Sequence, residues 1–380
     1  MKILHLSNEI RHELGCAASL SMLGYDVTYL HLGDGYEHMK RRVVYVDEGP
    51  VRVNFAQINS PTLFNSIVNP KTLILKEIRE NMFDLVITTP STPFYIAHYI
   101  AKKLKVSLIL RIWGIRAQKI QENIMIGRSY VDLLNFIPSI SHNAIQFSLA
   151  NFLVTLERST QRFITKMPLI KNSICIYPTY AALYSNDNNN YELDYKDYIL
   201  SVVTPSRSGV GFRLDRQLFK ILMLIAKRNP IIKVVVLGGA PTEIRSKFGL
   251  TKFPLNLIVA GRIMNDNALR DLYRKAKLIV IPVFFKSVSN RLLEAFFYGK
   301  PILTNSIAKN LHPELQHLHH AFISDSYHEY PEIVRKVIRN DGLLENLSLG
   351  AREAYGKFFS AKRCSIAMLH VIRSLIHNIS

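Results

Sequence analysis

Short apolar runs alternate with amphipathic segments along almost the whole chain. The opening run, Lys2–Ser7, is followed by a segment with helical spacing that ends at Gly24, and the next apolar run begins at Tyr25. The apolar runs have the length of strands, whereas the segments between them are long enough for helices. A strand, a helix and a further strand pack as a βαβ unit, so the chain is predicted to have an α/β fold with parallel sheets covered by helices.

The predicted elements fall into two series separated by the polar stretch Asn186–Asn190. The predicted strands are Lys2–Ser7, Tyr25–Leu30, Val51–Ile58, Asp84–Thr89, Ser107–Arg111, Asp197–Val203, Ile232–Leu237, Leu255–Ala260, Leu278–Pro282 and Pro301–Thr304. The predicted helices include Glu9–Leu23, Thr72–Met82, Phe94–Leu104, Arg216–Lys227, Ala268–Lys275 and Ala361–Ile379. A chain of 380 residues is long enough for two such domains, and we expect a ligand site in the cleft between them.

The charge of the chain predicts an anionic partner. It carries 48 Lys and Arg residues against 29 Asp and Glu residues, a formal net charge of +19. Between Ala101 and Asn172, eleven basic residues face three acidic ones and are interleaved with apolar residues, the mixture expected of a surface that binds anionic lipid. An ordinary solvated basic face is the alternative. We expect no nucleic-acid partner, because the chain has no signature of a nucleic-acid-binding motif.

The cellular setting is predicted to be cytoplasmic, with peripheral association to the cytoplasmic face of a membrane. Cys16, Cys175 and Cys364 are too far apart in sequence to indicate a zinc site or a disulfide framework, which fits a reducing compartment. The N-terminal residues read as a strand and not as a targeting segment. No apolar run is long enough for a membrane-spanning helix.

The stretch Ser287–Asn305 combines a helix start, a short helix, a helix stop and a strand. Ser289 is a predicted N-cap, and Gly299 followed by Pro301 ends the helix. The first turn of such a helix suits a phosphate, and Arg291 adds a positive charge there. Glu294, one turn further, can accept hydrogen bonds from a ribose. The alternative is a capped core helix with a surface glutamate.

Four segments of the second half carry a family resemblance. They are Val202–Arg213, Val236–Gly239, Val259–Ile263 and Glu294–Pro301. In order and spacing they resemble the family-four, group 1 type glycosyltransferases, which have the GT-B fold of two Rossmann-like domains and retain the anomeric configuration. The first half is similar more loosely, through Met1–Ser7, Leu23–Thr28 and Asp84–Thr88.

The resemblance implies an N-terminal acceptor-side domain over residues 1–185, a C-terminal donor domain over 186–360, and a last helix, 361–380, that packs back on the first domain. It also implies a nucleotide diphosphosugar as donor substrate, with no cofactor and no metal. The residues implied to be catalytic are Glu294, Lys286 and Arg207. The residues implied to bind the donor are Arg207, Arg213, Gly238, Ser289, Asn290, Arg291, Leu292 and Glu294. The acceptor-side residues are Asn8, Trp113 and Gly114.

The chain departs from the family pattern at three places. Lys286 stands where the family has its first motif glutamate, and Trp113-Gly114 stands where it often has His-Gly. The first loop, Asn8–Glu13, lacks the usual Gly-Gly pair. Trp113 is predicted either to stack on a sugar or to pack, and Glu9 and Glu13 to be either acceptor-side or structural carboxylates. His142 is interpreted as a polar residue with satisfied hydrogen bonds.

These observations favour a membrane-peripheral glycosyltransferase that acts on a lipid-linked or surface polysaccharide acceptor. A second hypothesis is a catalytically silent subunit of the same fold that binds a glycan or a partner enzyme, motivated by Lys286, Trp113 and the missing glycine loop. A third is a nucleotide-sugar epimerase of the same architecture, which would share the donor pocket.

Overall fold

A computed structural model describes residues 1–8, 11–32, 41–46, 49–58, 82–90, 92–114, 130–167, 170, 172–183, 197–203, 209–249, 252–263, 266–284 and 289–377. The chain divides into two compact units. The first comprises Met1–Leu183 and Phe358–Ser380, and the second comprises Tyr184–Phe285 and Ser289–Lys357. The predicted boundary at Asn186–Asn190, nearly all of the predicted helix Thr72–Met82, and the residues Glu9, Arg207 and Lys286 lie outside the described residues.

The described part of the first unit contains an eight-stranded sheet in the order β3-β4-β2-β1-β5-β6-β7-β8. All neighbouring strands are parallel except β3 and β4, which pair antiparallel at one edge. The central strands are buried on both faces, as expected of strands covered by helices. The strands are β1 (Lys2–Ser7), β2 (Asp26–Leu32), β3 (Arg41–Val46), β4 (Gly49–Ile58), β5 (Leu85–Thr88), β6 (Ser107–Ile112), β7 (Phe152–Thr155) and β8 (Ser173–Cys175).

The described residues of the first unit form two apolar clusters, one of them built partly by the last helix of the chain. Cys364, Met368 and Ile372 of that helix are buried in the cluster that also contains Leu14 and Ala17. The C-terminal helix therefore contributes to the core of the unit that holds the N-terminus. The helices of this unit are α1 (Arg11–Ser21), α2 (Thr92–Leu104), α3 (Tyr130–Leu149), α4 (Arg158–Ile164) and the last helix, α12 (Ala361–His377).

The described part of the second unit contains a six-stranded parallel sheet in the order β11-β10-β9-β12-β13-β14. β10 has the sequence Val-Val-Val-Leu and is buried along its whole length. Side chains also tie neighbouring strands together, since the Ser201 hydroxyl donates to Val280 O at 2.7 Å. The strands are β9 (Tyr198–Val202), β10 (Val234–Leu237), β11 (Leu257–Gly261), β12 (Ala276–Val280), β13 (Ile302–Thr304) and β14 (Phe322–Ile323).

Helices cover the second sheet. The last of them is followed by a short π-helix, Tyr355–Phe359, that leads into α12. The α-helices of this unit are α5 (Gly209–Arg228), α6 (Pro241–Phe248), α7 (Asp266–Lys275), α8 (Asn290–Phe297), α9 (Ser306–Leu311), α10 (Tyr330–Ile338) and α11 (Asp341–Ala354). Within the described residues no helix is long and apolar enough to cross a membrane.

The predicted α/β fold with two Rossmann-like units is confirmed, with two corrections. The sheet of the first unit is mixed and not purely parallel. Its edge strand β3, which was not predicted, pairs antiparallel with β4. The loop predicted over Thr204–Arg213 is shorter than expected. The backbone of Arg213 lies in α5, which begins at Gly209, because the helical spacing continues upstream of Arg216.

Candidate functional site

Helix α8 is defined at both ends by its own sequence. Ser289 has an extended backbone, and its hydroxyl accepts from the N–H of Leu292 at 3.4 Å, so the predicted N-cap is confirmed. At the other end Gly299 has φ +60°, and the N–H groups of Gly299 and Lys300 bond back to Phe296 O and Ala295 O. This is a Schellman motif, in which glycine fits the left-handed backbone. The short helix is therefore fixed in length and in position.

Glu294 lies one turn into this helix and is mostly buried, with 9% of its surface exposed. The hydroxyl of Tyr273, on α7, donates to Glu294 Oε2 at 2.9 Å. Burial and then the neighbouring carboxylate raise the pKa of Tyr273 well above its ordinary value, so the phenol stays protonated and remains a donor. The Tyr298 ring stacks on Tyr273 at a centroid distance of 4.9 Å. The carboxylate is thus held in one orientation.

The chain that leaves β12 toward α8 is fixed by the side chain of Asn305. Its Oδ1 accepts from Val283 N at 3.0 Å, and its Nδ2 donates to Val283 O at 2.7 Å and to Tyr327 Oη at 3.0 Å. Asn305 is itself buried, at the end of β13. Because parallel strands end at the same edge of a sheet, this amide fixes the carboxyl edge where α/β proteins bind ligands.

Gly238 follows β10 and brings a second backbone segment to the same edge. A Cβ atom at this position would lie 1.7 Å from Val203 O, and φ is +112°, so only glycine fits. The Gly238 N–H donates to Gly261 O at 2.8 Å. The predicted donor-binding glycine therefore has a structural reason to be there, namely the close approach of the strand ends.

The other predicted donor-side residues divide into three groups. Arg207 and Lys286 lie outside the described residues, and of Arg213 only the backbone is described. Asn290 and Arg291 are half-buried in the first turn of α8. Leu292 points into the core, and its N–H already bonds to Ser289. The helix start can thus attract an anion through its dipole and through Arg291, whereas the Leu292 N–H is committed to the cap.

The predicted acceptor-side residues lie in the first unit, after the ends of β1 and β6. Asn8 is exposed, whereas Trp113 and Gly114 are half-buried, and Trp113 packs against an apolar cluster. The predicted packing of Trp113 is thus observed, and its contact with a sugar stays a prediction. Glu13 is completely buried and accepts from Arg111 Nε at 2.8 Å, so of its two predicted roles the structural one fits.

His142 has the satisfied environment that was expected of it. Its Nδ1 lies 3.0 Å from Tyr95 Oη, and its Nε2 lies 3.2 Å from Gln146 Nε2.

Among the described residues, one group of side chains has the composition of a metal site, but its hydrogen bonds do not suit metal binding. His319, His320 and Glu353 offer ligand atoms that lie within 4.8 Å of one another. However, His320 Nδ1 accepts from the Gln316 N–H at 3.0 Å, so in the neutral ring Nε2 carries the proton and cannot ligate. The Lys357 ammonium also pairs with Glu353. We therefore interpret this cluster as structural.

Tyr273 and Asn305 were not predicted from the sequence to belong to the site. Tyr273 lies on the buried face of α7 among apolar residues. A buried tyrosine hydroxyl needs a partner, and that requirement was the available signal. Asn305, which follows a buried strand directly, offered the signal of a polar residue at the carboxyl edge.

Comparison with known proteins supports the class predicted from the sequence. Residues 214–340 match the family model "Glycosyl transferases group 1", which covers the part of the second unit that contains α8. No curated protein sequence matches the chain significantly. The fold is that of the GT-B glycosyltransferases. Membership of family four and retention of configuration stay predictions.

Solved structures that share the fold cover nearly the whole chain. HepE from Anabaena, solved in complex with UDP and glucose, superposes with a TM-score of 0.66 at 13% identity and covers 98% of this chain and 100% of its own. Sucrose-phosphate synthase from Thermosynechococcus elongatus has a TM-score of 0.65 at 12% identity, with 100% of both chains covered. A Listeria monocytogenes protein assigned as a UDP-N-acetylglucosamine 2-epimerase has a TM-score of 0.58 at 12% identity, covering 99% of this chain and 97% of its own.

Proposed function

We propose that this protein is a glycosyltransferase that moves a sugar from a nucleotide diphosphosugar to a lipid-linked or polysaccharide acceptor, with retention of anomeric configuration. The observation that carries the proposal is the buried Glu294 carboxylate, which Tyr273 orients one turn inside an N-capped helix. A carboxylate in this position suits the paired hydroxyls of a ribose, and the helix start beside it suits the diphosphate. The family match over residues 214–340 gives independent support.

The chemistry asks the site to stabilise a diphosphate leaving group while the sugar develops positive charge. In this chain the groups available for that role are the first turn of α8 with Arg291, together with Arg207, Arg213 and Lys286, which the sequence predicts to contribute. Cations and helix dipoles can neutralise a diphosphate without a metal, so we propose that neither a metal nor a cofactor is needed. Activity that survives exhaustive chelation would agree with this.

We further propose that the acceptor is bound by the first unit, through Asn8 and the Trp113-Gly114 turn, and that the protein works in the cytoplasm at the surface of a membrane. The fold relationship to HepE, which was solved with UDP and glucose, supports a uridine diphosphosugar as the first donor to test. The basic character of the chain supports an anionic acceptor or membrane.

Two alternatives keep specific support. An epimerase is favoured by the fold shared with the Listeria protein. A silent subunit is favoured by Lys286, which replaces the glutamate of the family motif.

One product analysis separates the three functions. The protein is incubated with uridine, guanosine and adenosine diphosphosugars, with and without membrane extract as a source of acceptors. A transferase releases nucleoside diphosphate in an acceptor-dependent manner and yields a product whose anomeric configuration can be read by NMR. An epimerase converts the nucleotide sugar into its epimer without an acceptor, and a silent subunit does neither.

A further inference from the structure

Two aliphatic side chains of the second unit project fully into solvent from neighbouring turns. Ile231 lies between α5 and β10 and is 91% exposed, and Leu255, before β11, is completely exposed. Single exposed aliphatic residues are common on protein surfaces, but the two turns that carry these residues are joined by a hydrogen bond. Asn256, the neighbour of Leu255, donates to the carbonyl of Ile232, the neighbour of Ile231, at 2.7 Å.

The turns that carry these side chains are held by the amide side chains of Asn256, which is partly buried, and Asn229. Asn256 Nδ2 also lies 3.0 Å from Ala226 O and 2.9 Å from Asn229 O. The Asn229 side chain is buried and donates to Pro331 O at 3.0 Å. The aliphatic tips, the exposed side chains of Ile231 and Leu255, are therefore carried by fixed turns. This lowers the conformational entropy that is lost when these side chains bind a partner.

The surroundings of these tips are strongly basic. From Arg216 to Arg262 the chain has nine Lys and Arg residues and one acidic residue, Glu243, a local net charge of +8. That single carboxylate is paired with Lys247 at 2.8 Å. The basic residues nearest the tips in sequence are Lys227, Arg228, Lys233 and Lys252, all exposed.

The same mixture continues along the outer face of α5. A groove of about 280 Å³ is lined by basic residues, among them Arg216, Lys220 and Lys227, and by apolar ones that include Met223 and Phe248. Lys227 lines the groove and lies in the last turn of α5, just before the turn that carries Ile231. Cationic heads with aliphatic stems beside apolar side chains can contact lipid headgroups and acyl chains at the same time.

We propose that this basic aliphatic surface, formed by residues 227–233 and 252–256 and the adjoining groove of α5, docks the protein on an anionic membrane. An anionic bilayer satisfies both parts of the surface, because its headgroups attract the cations and its interior accepts the two aliphatic tips. Nucleic acid would leave Ile231 and Leu255 without an apolar partner. The proposal goes beyond the proposed function, since it assigns membrane contact to the second unit and not to the basic region 101–172.

The test is sedimentation of the full chain with vesicles of phosphatidylcholine, with or without 30 mol% (about one lipid in three) phosphatidylglycerol, a typical anionic fraction. The wild type is expected to bind the anionic vesicles and not the zwitterionic ones. The variants I231S/L255S and K227E/R228E are each expected to lower the fraction bound by about tenfold, and added salt should release the wild type. Thermal shift with a nucleotide sugar reports separately whether the donor site is intact.

Matched controls exist in the same unit. Lys336 and Arg339 are exposed at the C-terminal end of α10, as Lys227 and Arg228 are at the end of α5, so K336E/R339E makes the same charge change at the same kind of position. Leu349 is 55% exposed, and L349S removes an exposed aliphatic side chain elsewhere. Both controls are expected to bind like the wild type.

Three outcomes overturn the proposal. They are failure of the wild type to bind anionic vesicles, unchanged binding of both surface variants, and equal losses in the controls. Binding of an acidic protein or of a nucleic acid by this surface, with no binding of vesicles, would assign it to a different partner. Failure to bind vesicles would also remove the membrane location proposed above, whereas donor binding is measured independently and tests the glycosyltransferase proposal by itself.

Discussion

The hydroxyl of Tyr273 lies 2.9 Å from Glu294 Oε2, and both residues are buried between α7 and α8. A hydrogen bond to a charged group contributes about 1.5–3 kcal/mol, and it also fixes the direction of the carboxylate lone pairs. Tyr273 is therefore a positioning residue for Glu294.

Replacing Tyr273 with Phe is expected to weaken binding of the nucleotide sugar by about tenfold, because Glu294 loses its orienting donor. The matched control is Tyr330→Phe, which removes a buried hydroxyl that bonds to Thr304 O and Ser324 O in the same unit. Calorimetric titration should show weaker binding only in the Tyr273 variant. Equal affinities in both variants would remove the positioning role.

Asn305→Ala is expected to lower both stability and donor affinity. The substitution leaves the N–H and C=O of Val283 without their side-chain partner, which costs about 1–3 kcal/mol for each buried group that stays unsatisfied. Asn229→Ala removes a similar buried amide on another part of the unit. Both variants should melt earlier, but only Asn305→Ala should bind the donor more weakly. If donor affinity is unchanged in Asn305→Ala, the Asn305 amide does not support donor binding.

The buried pair of Glu13 and Arg111 predicts a strong stability effect in the first unit. Glu13→Ala strands the Arg111 guanidinium in the core and is expected to cost about 3–5 kcal/mol. The double variant Glu13→Ala/Arg111→Met should recover part of that loss, since it removes both charges of this pair, although the contact of Glu13 with His5 Nε2 at 2.8 Å stays lost. Trp113 is the only tryptophan and packs against this unit's core, so its fluorescence reports the relevant transition. Additive losses would contradict the pairing.

His312 predicts a defined loss of stability in acid. Burial lowers its pKa from 6.5 to about 3 in the folded chain. Below pH 6.5 the unfolded chain binds a proton at this histidine that the folded chain does not bind. The free energy of unfolding therefore has its full value, as far as this residue is concerned, above pH 6.5 and decreases as the pH falls toward 3. In this range the free energy of unfolding decreases by about 1.4 kcal/mol per pH unit.

The variant His312→Gln should therefore show a shallower fall of melting temperature between pH 6.5 and pH 4 than the wild type. The absolute melting temperature of the variant is not the readout, so a destabilised variant is still informative. His370→Gln, at an exposed position, should keep the wild-type slope. Parallel curves for the wild type and His312→Gln would contradict the burial argument.

The sequence predicted most of the strands because buried parallel strands are continuous apolar runs, as in β10 and β12. It missed the short strands β7, β8 and β14 and also β3, where Arg-Arg-Val-Val-Tyr-Val mixes charge with apolar residues, as edge strands often do. The N-cap at Ser289 and the stop at Gly299 could be predicted because they depend only on local backbone requirements. The partnership of Tyr273 with Glu294 could not, because it depends on how two helices pack.

The central claim is that the second unit binds a nucleotide diphosphosugar through Glu294 and the start of α8. The most direct measurement is calorimetric titration of the wild type and of Glu294→Ala with uridine, guanosine and adenosine diphosphosugars, with circular dichroism to verify that the variant is folded. We predict saturable binding of at least one of these donors by the wild type and a loss of at least about tenfold in Glu294→Ala. No binding of any donor, or equal binding by a folded Glu294→Ala variant, would contradict the account.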